Sequence, residues 1–400
     1  MQLLSKRLES VKTSATAKIH NLVLKKRLHG DKIINLAVGE PNFDTPQNIK
    51  NAAYSAIKNG HTRYTATGGL DQLKAAILNK LFRDNSLSYK KNELIICSGG
   101  KQVIFNALVA TLNYDDEVII PSPYWVSYPD MVRLCGGTPI FINTKLKNSF
   151  KITPSDLKKA LNPKTKWFIL NSPCNPSGSV YTINELTEIG KILELFPHVN
   201  ILSDDIYEHI IYDNLPFRNL VQINPSLKNR TLLVNGLSKS HAMTGWRIGY
   251  GAGNETLVAA MLTVQSQSTS NASSISQYAA IEALEGPQHL IEKNKFGYQK
   301  RRDLLISNLS NSNKIKISKP MGAFYALPSI EKLIGKYTLE GNQINSDEDF
   351  VYDLLKKTGV AVVPGSAFGA KNYFRISYAV SDTLLKHGCD LIVNFVETLK

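Results

Sequence analysis

A lysine closes the stretch TLLVNGLSK (231–239), and an arginine follows eight residues on, in SKSHAMTGWRIGY (238–250). An ammonium at the mouth of an apolar run is costly to desolvate, so Lys239 is either a solvated loop charge or an amine put to use. Put to use, it can serve as a nucleophile and as a proton carrier. Three other polar stretches share its setting. Ser98-Gly99-Gly100 closes ELIICSGG (93–100), Asn171 to Gly178 ends KWFILNSP and continues it, and Asp204-Asp205 ends NILSDD. The turn SGGKQ (98–102) leads into a helix-like segment, so its backbone N–H groups and the positive helix end suit a phosphate. It lacks the GKS or GKT of a Walker loop and is not GxGxxG. Arg247 and Ser238 could add a bidentate and a hydroxyl contact to the same anion.

These residues can meet only if the runs before them lie side by side. From residue 44 to 287 apolar strand-like runs alternate with amphipathic helical segments. KQVIFNALVATL (101–112) carries apolar residues at three- and four-residue spacing, and TPSDLKKAL (153–161) opens with a threonine cap and a proline. EVIIPSP (117–123), TPIFINT (138–144), KWFILNSP (166–173), NILSDDIY (200–207), TLLV (231–234) and RIGYGAG (247–253) read as strands. Such alternation predicts an α/β fold with a mainly parallel sheet covered by helices. In that fold ligands bind beyond the C-terminal strand ends, which would bring the four polar stretches to one cleft. Residues 1–43, expected to be helical and then turn-rich at GEPNFDTP, and residues 288–400 predict a smaller α+β domain from both chain ends. The larger domain is 44–287.

The chain has 400 residues, 43% of them hydrophobic and 20% charged, the balance of a globular protein. It has no apolar run long enough for a membrane span and no secretory apolar core at its start, so a cytoplasmic location is expected. The four cysteines, at 97, 135, 174 and 389, and the eight histidines are scattered, which argues against metal sites and disulfides. A net charge of +14 raises nucleic-acid binding, but the basic residues form no long run and are not interleaved with aromatics. A lysine-rich solvated surface is the reading, with no nucleic-acid partner.

A phosphate cradle beside a lysine amine and an aspartate fits pyridoxal phosphate, which has a phosphate tail, an aldehyde and a ring nitrogen that wants an anionic partner. The chain resembles the fold-type I, class I aminotransferases almost end to end. The motifs are GEPNFDTP (39–46), RYTATGGLDQLK (63–74), SGGKQ, PSPYWVSYPD (121–130), NSPCNPSG (171–178), SDDIYEH (203–209), SKSHAMTGWRIGY and FRISYA (374–379). Among that family's branches it looks most similar to the bacterial aspartate aminotransferases that include aspartate/prephenate aminotransferases. The resemblance implies a ping-pong Schiff-base transfer of amino groups between amino acids and 2-oxo acids, with aspartate and glutamate as donors and prephenate as an acceptor. A homodimer with shared active sites is also implied.

Carried over residue by residue, Lys239 matches the Schiff-base lysine and Asp204 the partner of the ring nitrogen. The choice of Asp204 over Asp205 rests on the D-x-x-Y spacing to Tyr207. Asn175 and Tyr207 match the pair holding the ring oxygen, with Asn175 also beside substrate. Trp125 matches the stacking aromatic, although Tyr124 is adjacent. Gly100, Lys101, Ser238 and Arg247 match phosphate binding, and Tyr64 matches a tyrosine reaching the neighbouring subunit's phosphate. Arg375 matches the grip on the substrate carboxylate, where a planar fork is needed. Gly39 matches a backbone contact over substrate, and Asn271 lies near the expected interface. Lys12, in SVKTSATAK, stands where the aspartate/prephenate branch carries a lysine associated with prephenate recognition, with Thr13 replacing that branch's proline, and it is the candidate for the second cation a dicarboxylate needs. The competing readings are an aminotransferase of aromatic or alanine type, a related lyase, and a silent regulator. The last would need a DNA-binding segment ahead of residue 36, for which little chain is expected to be free.

Overall fold

A computed structural model describes residues 5–11 and 15–400. Its strands, in chain order, begin with β1 (Ile34–Asn35), β2 (Leu94–Cys97), β3 (Glu117–Ser122) and β4 (Thr138–Asn143). Next come β5 (Thr165–Asn171), β6 (Asn200–Asp204), β7 (Thr231–Gly236) and β8 (Gly249–Ala252). The last four are short: β9 (Tyr325–Ala326), β10 (Val360–Ala361), β11 (Val363–Pro364) and β12 (Phe374–Ser377). Strands β2 to β8 form one seven-stranded sheet in the order β2-β8-β7-β6-β5-β3-β4.

Alternate residues of these strands enter different cores, as a pleated sheet covered on both faces requires. Val118, Ile120, Trp167, Ile169, Leu202 and Leu232 pack on one face with the helix Gly100–Thr111. Ile119, Phe168, Leu170 and Ile201 pack on the other, against Leu186, Ile189 and Leu193 of the helix Ile183–Glu194. That helix and Pro154–Ala160 begin at Thr182 and Thr153, each of which closes a capping box with the acidic residue three positions on.

Register decides where the polar ends fall. Asn171 pairs with Asp204, and Asp204 with Val234, so β5 and β6 end level and β7 runs two residues further toward the same edge. Strand β8 is antiparallel to both neighbours, with Gly249 opposite Cys97 and Gly236. Its start therefore lies at the same edge, which brings Arg247 to the strand ends although it precedes its strand.

The chain ends pack together. A three-stranded sheet β11-β12-β9 and the parallel pair β1-β10 lie beside a core of Phe324, Tyr325, Phe350, Phe374 and Tyr378. The expectation that residues 1–43 stay helical up to the turn is corrected here. The helix Ala15–Leu28 stops before Gly30, which takes a φ of +88°. A residue with no Cβ accepts that conformation readily and helices commonly end on it. Ile34–Asn35 then pairs with Val360–Ala361. Among the described residues no helix is long and apolar enough to cross a membrane.

Candidate active site

The strand ends open onto a cleft of about 560 Å³. Gly39, Gly100, Lys101, Trp125, Asn175, Asp204, Tyr207, Ser238, Lys239, Arg247 and Arg375 all line it. Tyr64 does not; the residue is 91% exposed on the single chain. Lys12 lies outside the described residues. Asn271, half-buried, donates from its amide to the Ala272 carbonyl at 2.7 Å and does not line the cleft.

Lys239 donates from Nζ to the Gly39 carbonyl at 2.6 Å. Burial lowers its pKa, Glu40 opposes this, Arg375 and Arg247 add to it, and the result is about 8. At pH 7 about a tenth of such an amine is uncharged, against well under a thousandth for an ordinary lysine. Glu40 is itself held by the Thr244 hydroxyl.

Asp204 is buried and accepts from the Tyr128 hydroxyl at 2.5 Å and from the Ile206 N–H at 3.3 Å. Burial pushes its carboxyl up, the two hydrogen bonds and Lys239 pull it back, and it settles at about 6. It is thus ionised at neutral pH yet short of partners, the state of a carboxylate ready for a cationic ligand. Asp205 is directed elsewhere: it accepts from Ser203 at 2.7 Å, and burial with Glu208 nearby raises its pKa well above the usual range. It does not line the cleft.

The anion cradle is built from glycines. Gly99 has φ +92°, and a Cβ there would stand 2.3 Å from Arg247 Nη2. A Cβ on Gly249 would stand 2.2 Å from the Gly100 nitrogen. The two glycines let the guanidinium and the first N–H groups of the helix Gly100–Thr111 approach one point, the geometry a phosphate needs. Arg247 is fixed by the carbonyls of Thr244 at 3.0 Å and Ser98 at 3.3 Å. The Lys101 ammonium lies 4.9 Å from the centre of the Trp125 ring and near enough to Arg247 for that cation to lower its pKa.

Across the cleft, Arg375 is buried and donates to Asn175 Oδ1 at 3.0 Å and the Ala37 carbonyl at 2.5 Å. Its Nε has no partner among the described residues. Asn175 is set in turn by its own N–H, which donates to Asn171 Oδ1 at 3.0 Å, while Asn171 Nδ2 donates to the Asp204 carbonyl at 2.9 Å. Sequence reasoning missed Tyr128 and Tyr325 as site residues. Tyr128 stood inside PSPYWVSYPD, but its contact with Asp204 spans 76 residues and leaves no local mark.

The buried amine of Lys239, the buried carboxylate of Asp204, an anion cradle and a buried guanidinium around a single cleft define an α/β fold equipped for an anionic cofactor and a carboxylate substrate. The family described as "Aminotransferase class I and II" matches residues 31–392, and the chain belongs to it. It is 50% identical over 399 residues to the "Probable aspartate/prephenate aminotransferase" of Rickettsia conorii, with 100% of each chain covered. It is 50% identical over 395 residues to the "Aspartate/prephenate aminotransferase" of Cereibacter sphaeroides, covering 99% of each. The solved aspartate aminotransferase of Rhizobium meliloti superposes with a TM-score of 0.97 at 44% identity, covering 100% of both chains. That of Thermus thermophilus with maleate gives 0.92 at 36% identity, covering 99% of this chain and 100% of the other.

Proposed function

We propose that this aminotransferase uses pyridoxal 5′-phosphate to move the amino group between L-aspartate or L-glutamate and 2-oxo acids, and that prephenate is among its acceptors. The single observation that carries the reading is the lowered-pKa amine of Lys239 in one cleft with Asp204, the glycine cradle and Arg375. Aspartate and prephenate stand in the names of relatives at 50% identity.

When bound, the cofactor supplies an aldehyde for amines and a ring that delocalises negative charge from the substrate's α-carbon. Gly100, Lys101 through its N–H, Ser238 and Arg247 would hold its phosphate. Asp204 would keep the ring nitrogen protonated, and Asn175 and Tyr207 would hold the ring oxygen. Trp125 would cover one ring face. Lys239 would provide the amine that holds the cofactor, and the same amine, with a pKa near working pH, would move a proton as a base. Arg375 fixes the α-carboxylate through a planar fork, and Gly39 closes over it by its backbone. The proposed division is a large domain, 44–287, and a substrate-closing domain, 1–43 with 288–400. A homodimer, with Tyr64 reaching the partner's phosphate, and a cytoplasmic location complete the reading.

The test is the holoenzyme itself. Borohydride should fix the cofactor onto Lys239, located by peptide mapping. A donor panel against 2-oxoglutarate, oxaloacetate and prephenate should give highest kcat/KM with aspartate or glutamate. An adduct on another lysine, or breakdown of the donor without transfer to any acceptor, would overturn the proposal. Alanine or aromatic donors outranking aspartate would favour the other specificity.

A further inference from the structure

Tyr325 occupies a position that neither the cofactor contacts nor the carboxylate grip explains by itself. It is buried on strand β9, which is held by backbone pairing of Tyr325 with Ser377 on β12. Its hydroxyl lies 2.8 Å from the hydroxyl of Tyr207, a residue 118 positions away. Its ring centre lies 4.6 Å from Arg375 Cζ, and the Phe368 ring lies 4.8 Å from the same carbon. Gly39 leaves room for it: a Cβ at Gly39 would stand 2.5 Å from the Tyr325 hydroxyl. One side chain therefore touches the tyrosine assigned to the cofactor, the arginine assigned to substrate and the segment whose carbonyl receives Lys239.

We propose that Tyr325 is a positioning residue that couples Tyr207 to Arg375, its hydroxyl strengthening the Tyr207 donor and its ring fixing the Arg375 fork. The inference rests on the function proposed above. When Tyr207 donates to an anionic ring oxygen, its own oxygen is free to accept, and Tyr325 is the group placed to donate. A donor that is itself hydrogen-bonded is more polarised and binds an anion more strongly. The charged or titratable groups facing Tyr207 are Tyr325, Arg375, Asp204 and Tyr128, and those facing Tyr325 are Tyr207, Arg375, Tyr298 and Tyr378. Arg375 is common to both sets and keeps the same charge throughout. Beneath the guanidinium, the aromatic face supplies a cation–π contact that leaves the N–H fork unobstructed.

The two parts separate by mutation. Tyr325→Phe deletes the hydroxyl and keeps the ring; Tyr325→Leu deletes both. The readouts are the midpoint of the pH-dependent absorbance change of the bound cofactor and the dissociation constant of maleate, an unreactive dicarboxylate. Tyr325→Phe should raise the midpoint by on the order of 0.5 pH unit, because the ionised ring oxygen loses support. Maleate binding should stay within about twofold, since the cation–π face remains. Tyr325→Leu should raise the midpoint similarly and weaken maleate about tenfold. Thermal unfolding of each variant confirms that the fold is retained, which the near-isosteric Phe change favours most. A Tyr325→Phe midpoint equal to wild type, or a Tyr325→Leu protein binding maleate as tightly as wild type, would overturn the coupling. Wild-type protein without any cofactor band would overturn the proposed function and this inference with it, a result distinct from either of those.

Discussion

At the scale of single residues, the cleft holds groups in states that the fold opposes. Asp204 is raised from 3.8 to about 6, first by burial, with Tyr128, the Ile206 N–H and Lys239 restoring only part of its ionisation. A carboxyl with a raised folded-state pKa binds its proton more tightly when folded, so its contribution to stability is greatest below the unfolded value and is lost as pH rises through the folded one. Cofactor-free Asp204→Asn should therefore be more stable than wild type above pH 6, by up to about 3 kcal/mol and so with a higher unfolding temperature, the gap closing toward pH 4. Equal melting curves at pH 8 would show that the charge is already satisfied. The same substitution should cut amino transfer severely, whereas Asp205→Asn should spare it. Greater damage from Asp205→Asn would assign the ring nitrogen's partner to Asp205. Here sequence spacing and geometry agree: the D-x-x-Y reading picks the residue that lines the cleft, and Asp205 turns to Ser203.

Elements position these residues through contacts the sequence shows unevenly. The alternation of apolar runs and helical segments made the sheet legible, because strands buried on both faces need such runs. The capping boxes at Thr153 and Thr182 were marked by their own side chains. What stayed hidden was set at a distance. Ile34–Asn35 sits at the start of an apolar run that reads as strand near residue 36, but its partner, Val360–Ala361, lies more than 300 residues on and has no local mark. Another hidden tie joins the helix Asp71–Asn85 to the turn after β6. Lys80 forms an ion pair with Glu208, their side chains 2% and 4% exposed. Asn85 and Asn235 also donate to that carboxylate, at 2.8 and 2.6 Å. Burial pushes Glu208 up, but Lys80, His209 and the hydrogen bonds outweigh it and hold its pKa at about 2. Removing one partner of a buried pair leaves an uncompensated charge, so Lys80→Met should lower stability by about 3–5 kcal/mol. Lys80→Met with Glu208→Gln should recover most of that loss in urea unfolding. A double variant as unstable as the single one would locate the cost in packing instead.

At the scale of the whole molecule, two features of the proposed function extend beyond the described single chain. Tyr64, 91% exposed, gains a role only if a second copy covers it. Sedimentation should give a dimer, and Tyr64→Phe should weaken cofactor retention while leaving the absorbance of the bound fraction unchanged. A monomer with full cofactor affinity would end that assignment. The other feature is the cation for the distal carboxylate. On the function proposed above, Arg375 takes one carboxylate of aspartate or prephenate, and the second needs another cation. Lys12 is the residue assigned to it, since closure of the chain-end domain over substrate would bring an N-terminal ammonium in at that step alone. A flexible ammonium also follows carboxylates at different reach, which suits a short donor and a bulkier acceptor. The cleft carries a competitor, Lys101, whose ammonium already lies over Trp125 and whose pKa is lowered by burial and by Arg247. A charge-assisted contact is worth about 1.5–3 kcal/mol, roughly ten- to a hundredfold in kcat/KM. Lys12→Ala should thus weaken both aspartate and prephenate by that factor and spare alanine, which has no distal charge. If Lys101→Ala shows the dicarboxylate-selective loss and Lys12→Ala does not, the second cation belongs to the cradle helix, and specificity is set before the domains close.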